Sequence, residues 1–123
     1  MKRVAALVLA STLGLGACVS DARPETCADP SVTIELALTA SSLTPSDPGV
    51  CRDQEVTLVV DSAVDGFIHI HGYDHAVDVA EVAAGEELLL TFDAVRSGQF
   101  PIEIHAADDP EGVEVGIFTV YEP

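Results

Sequence analysis

Four histidines are the side chains best suited to chemistry in this sequence. Three of them, His69, His71 and His75, fall within the seven-residue stretch HIHGYDH. The fourth, His105, closes a run of alternating apolar residues that begins at Phe100. Histidine is the commonest metal ligand, and a His-x-His pair on a strand projects both rings from one face. Two imidazoles held there, met by a third from another strand, suit copper(II) or zinc, with Asp74 or Asp108 as oxygen ligands. The competing reading is that these are ordinary polar positions on a half-exposed strand and loop. No enzyme is expected. The sequence has no Gly-x-Ser-x-Gly elbow, no zinc-protease helix motif and no twelve-residue calcium loop, and Asp108-Asp109 sits among turn formers.

The elements that must position these histidines are strands. Val32, Ile34, Leu36 and Leu38 share one phase, with Thr33 and Glu35 between them, and a period of two marks a half-buried strand. Residues 40–54 are dense in Ser, Pro, Asp and Gly and read as a loop, tied down by Cys51. Glu55 to Asp61 is a second strand and Phe67 to His71 a third, after a turn near Asp65-Gly66. Tyr73 to Ala84 fits either a short strand or a connecting loop. Leu88, Leu90 and Phe92 alternate in the next strand, and Phe100, Ile102 and Ile104 in the one after, where Pro101 argues for a free edge. Val115 to Tyr121 is the last. Six or seven short strands without a useful amphipathic helix predict an all-β fold, a single antiparallel β-sandwich. If Phe100, Ile102 and Ile104 point inward, His105 starts on the outer side, and only the end of its strand could turn it back.

From Val56 to Val120 the order of elements resembles the cupredoxin-like domains. The stretches that carry the resemblance are VTLVVDS, HIHGYD, AAGEELLLTFDA, SGQFPIEIH and the closing GIFTVYEP. The chain also resembles small exported cupredoxin-like lipoproteins. The resemblance implies a Greek-key sandwich whose first copper ligand is a histidine after the third strand, the place of His71. It implies further ligands, a cysteine, a histidine and often a methionine, in the loop after the Gly-x-Phe strand. This chain departs there: Ile104 or His105 stands where the cysteine belongs, and AADDPEGVEVG carries no cysteine, histidine or methionine. A blue-copper centre needs the thiolate, so blue-copper electron transfer is not expected. His71 and His105 remain at two corners of the family's site, and His69 and His75 lie close enough to complete a different one. Copper is the expected cofactor, ahead of zinc.

The start of the chain is an address. Met1, Lys2 and Arg3 precede an apolar run from Val4 to Leu15 that is too short to span a bilayer. Leu15-Gly16-Ala17-Cys18 resembles the bacterial lipobox, which implies a signal peptide over residues 1–17 and a lipid on Cys18. Residues 18–30 then read as a flexible tether and residues 31–123 as the domain. Localisation follows: export, with a lipid anchor in a bacterial membrane, facing the periplasm or the cell exterior. With Cys18 acylated, Cys27 and Cys51 are an even pair in an oxidising compartment, the usual setting for a disulfide.

Charge narrows the partners. The full chain carries a formal net charge of −16, from 21 acidic residues against five Lys and Arg. Lys2 and Arg3 leave with the signal, so the mature chain is more negative still. Such a surface repels nucleic acid and anionic head groups. The expected functions are therefore extracytoplasmic copper or zinc binding or, alternatively, a metal-free sandwich that binds a protein partner. The first needs His71 and His105 within reach of one ion; the second does not.

Overall fold

The computed structural model describes residues 23–109 and 111–123. The signal segment and Cys18 lie outside the described residues. The described part opens with a 3-10 turn, Glu25–Ala28, followed by β1 (Ser31–Leu38), β2 (Leu43–Thr44), β3 (Gly49–Cys51) and β4 (Glu55–Ser62). β5 (Gly66–Ile70), β6 (Ala80–Val82), β7 (Glu87–Asp93), β8 (Gly98–Ala106) and β9 (Val113–Tyr121) complete it. Two sheets form, in the orders β2-β1-β4-β7 and β3-β9-β8-β5-β6.

The alternation read from the sequence sets what each sheet buries. Leu36, Leu38, Val56, Leu58, Val60 and Phe92 face inward from the four-stranded sheet. Ile68, Ile70, Phe100, Ile102, Ile104, Phe118 and Val120 meet them from the five-stranded sheet. Val115 is buried too, although it is out of phase with Phe118 and Val120. The register explains this: Ile102 pairs with Gly116 but Glu103 with Glu114. Val115 is therefore the extra residue of a bulge, which lets both halves of β9 face the core.

The sheets are mixed rather than purely antiparallel. β1 lies parallel to β4, and β3 parallel to β9. Parallel neighbours need a crossover, and residues 39–54 supply the one between β1 and β4. What the composition marked as loop holds β2, which folds back on β1, and β3, which joins the other sheet. At two and three residues these strands are too short for any periodicity to reveal.

Pro101 is also differently placed. β8 lies between β9 and β5, so its proline is not on a sheet edge. The Pro101 carbonyl accepts the His71 N–H at 2.9 Å. The reciprocal bond of a ladder has no donor here, and β5 ends at Ile70, one residue earlier. The ladder stops where the proline cannot extend it.

Two local devices hold the ends. The Cys27–Cys51 disulfide, with Cα atoms 5.3 Å apart, ties the 3-10 turn to β3. Beside it, buried Gln54 accepts the Cys51 N–H at 2.7 Å and donates to the Thr26 and Asp29 carbonyls at 2.6 and 2.9 Å. The segment after β5 is anchored by Tyr73, which is fully buried. Its ring meets Phe92, Phe100 and Phe118 edge-on, with centroids 5.7, 4.6 and 5.5 Å away. Its hydroxyl donates to the Arg96 carbonyl at 3.2 Å and accepts the Arg96 N–H at 3.3 Å. The Arg96 guanidinium in turn bonds the Gly72 carbonyl and lies over the Phe100 ring. This clasp joins the segment to the β7–β8 turn.

Two stability measurements check these devices. Replacing Cys27 and Cys51 together by alanine opens a loop with a sequence separation of 24; urea unfolding is expected to show a loss of about 3 kcal/mol. Burial raises the Tyr73 pKa above its ordinary 10.0, partly offset by its contacts with Arg96. A raised folded pKa gives stability that is present below pH 10 and lost as pH rises through the folded value. Tyr73→Phe is expected to cost about 1 kcal/mol near neutrality, from its lost hydrogen bonds, and to flatten the alkaline decline. An unchanged decline between pH 9 and 11 would contradict the assignment.

Candidate functional site

The phase of β5 and β8 decides where the histidines go. Ile68, Ile70, Ile102 and Ile104 point into the core, so His69, Glu103 and His105, on alternate residues, take the outer face. His71 follows the last residue of β5. The register sets Phe67 opposite His105 and His69 opposite Glu103. The outer face of the five-stranded sheet therefore gathers three of the four histidines around one glutamate.

Glu103 is the centre of this cluster. One carboxylate oxygen lies 2.7 Å from His71 Nε2 and the other 2.8 Å from His105 Nε2. A carboxylate only accepts, so both imidazoles present Nε2–H to it. His69 Nε2 is engaged in the same way, 2.6 Å from Asp74 Oδ1. The His69 and His71 rings lie against each other, 4.2 Å between centroids. A nitrogen that donates to a carboxylate has no lone pair for an ion, which leaves each of these rings Nδ1 alone. His75 stands apart from this group, exposed, with its ring 4.7 Å from that of Tyr73. Asp108 lies in the exposed turn after β8.

The expectation of copper or zinc held by His71, His105, His69 and His75 is overturned by how the side chains are grouped. Among the described residues, no group of three or more His, Cys, Asp or Glu side chains could hold a metal ion. The two histidines at the family's corners do come together, but around a carboxylate on the outside of a sheet. The residues present do not fit the copper site that the resemblance implied.

Gly112 completes the cluster by being absent as a side chain. A Cβ there would overlap the Glu103 carboxylate and crowd His105 Cε1 at 2.7 Å. Beside the cluster, Phe67 is 49% exposed, and with Val79, His105, Ala106 and Ala107 it lines a shallow apolar cavity of about 370 Å³. Sequence reasoning passed over Glu103, although it shares the phase of His105 two residues on; the signal was available in PIEIH.

Two sheets in this order form a cupredoxin-like β-sandwich. The chain is similar in fold to the multi-copper oxidase from Pseudomonas thermotolerans, with a TM-score of 0.57 and 17% identity. That match covers 75% of this chain and only 30% of the oxidase chain. No family model and no curated protein matches the sequence.

The Asp74 carboxyl is held below its ordinary 3.8, first by the hydrogen bond from His69 and then by the charges of His69 and His71. A depressed folded pKa contributes stability above the unfolded value and loses it as pH falls through the folded one. In His69→Ala, the carboxyl carbon shift of Asp74, followed by NMR, is expected to titrate closer to 3.8. An unmoved midpoint would assign the depression to another group.

Proposed function

We propose that this chain is a lipid-anchored, extracytoplasmic cupredoxin-like module that works by binding a protein partner, without a resident metal. The observation that carries the reading is the Glu103 carboxylate claiming His71 and His105 together. The histidines then serve as hydrogen-bonded surface, not as an ion cage. The anchor rests on the Leu15-Gly16-Ala17-Cys18 ending of the leader. A protein partner is favoured over nucleic acid by the formal net charge of −16. It is also favoured by large apolar side chains left in solvent, Phe67, Val79, Leu89 and Val95, each 49% exposed or more. The working location is the periplasmic or outer side of a bacterial membrane.

Fractionation and cross-linking of the full chain in cells test both halves. The wild type is expected in the detergent-soluble membrane fraction and Cys18→Ser in the aqueous one; equal partitioning would remove the anchor. A discrete cross-linked protein adduct is expected to persist at equal yield after the membranes are washed with a metal chelator. Its loss on chelation, or no adduct from any surface position, would overturn metal-free partner binding.

A further inference from the structure

Among the described residues the sandwich has four edge strands, and three of them offer little to pair with. β2 has two residues, and β3 and β6 have three each. The fourth, β7, has seven, pairs along its length with β4, and has no strand neighbour on its other side among the described residues. A long edge is a template for another strand, because every second residue turns its N–H and C=O outward. In the middle of β7 stands Leu89, 60% exposed. It shares a row across the sheet with Val59 and Glu35.

The corner between β6 and the start of β7 is hollow. A cleft of about 360 Å³ is lined by Glu81, Val82, Ala83, Glu86, Glu87 and Leu88. Val82 and Leu88 give it an apolar floor, as both pack into the core, and three carboxylates stand around it. None of the three has an ion-pair partner among the described residues. A long side chain with an apolar stem and a cationic head matches that lining.

From this we infer that the β7 edge takes an extended, cationic segment of the partner protein as an added strand, with a Lys or Arg side chain seated in the Glu81–Glu87 cleft. The inference rests on the partner-binding reading and names its site. Strand addition draws affinity from main-chain bonds and specificity from pockets for alternate side chains, and β7 with its adjoining cleft offers both. Charge selects the occupant. A second copy of this chain would bring Glu86, Glu87 and Asp93 against their own kind at a net charge of −16. A basic segment finds attraction at the same places and covers Leu89.

The test uses detergent-solubilised full-length protein and a blocked octapeptide of alternating valine and lysine. Two controls accompany it: a valine–glutamate octapeptide, and the lysine peptide with alternate backbone nitrogens methylated. Methylation keeps the charge and removes ladder donors. Expected are at least tenfold weaker binding for each control and tenfold weaker binding of the lysine peptide to Glu81→Gln/Glu87→Gln. Slowed amide exchange is expected over Leu88 to Phe92. Equal binding of the methylated peptide, protection elsewhere than β7, self-association through β7 or no binding of the lysine peptide overturns the proposal. Photo-cross-linking in cells separates this failure from that of the broader reading. A partner adduct formed from position 67 but not from position 89 would remove the β7 site and leave partner binding standing. No adduct from either would remove both.

Discussion

The pairing of β5 with β8 is the constraint on which the rest of this molecule depends. Ile68 faces Ile104 and Ile70 faces Ile102 across that ladder, and all four are buried. A slip of one residue in β5 would exchange its isoleucines for His69, and one in β8 would exchange them for Glu103 and His105, since the side-chain period of a strand is two. It would expose two isoleucines, each worth roughly 2 kcal/mol of burial, and would drive an imidazole, or a carboxylate with an imidazole, into the core. The register is therefore fixed by hydrophobic burial. The meeting of the histidines with Glu103 on the outer face is its geometric consequence.

Given that register, the cluster has few alternatives. His71 stands at the end of β5, held by its N–H to the Pro101 carbonyl, and its side chain shares the face of Glu103. The core beneath that corner is closed by aromatic packing of Tyr73 with Phe92, Phe100 and Phe118. Arg96 draws Gly72, the Tyr73 hydroxyl and the Phe100 ring to itself. The segment after β5 needs its own means of order. Here the buried phenol and the arginine do it.

What was legible in the sequence is what is local. The alternations of β1, β4, β7 and β8 each lie within one strand, and the common face of His69 and His71 follows from their spacing. The phase of Phe100, Ile102 and Ile104 already set His105 outward, against the metal reading built on His105. What was not legible depends on partners far along the chain. The parallel pairing of β1 with β4 is such a case, as is the placing of Pro101 inside a sheet but opposite the end of β5. So is the bulge at Val115, which only the register with β8 explains. Glu103 belongs between these cases, because its face was readable while the convergence of His71 and His105 on it needed the β5–β8 register.

The acidity of the chain and the shape of its edges belong together. A sandwich with a seven-residue strand open along one side invites pairing with its own copies, and brevity protects only the other three edges. On β7 the protection is electrostatic: Glu86 and Glu87 flank its start and Asp93 closes it. Like charges at both ends of an edge oppose a second copy in either direction, and they do so while leaving the central backbone and Leu89 uncovered. Blunting by a proline or a bulge would have closed the edge to every strand. Blunting by charge opposes acidic strands only and leaves the edge open to a basic one.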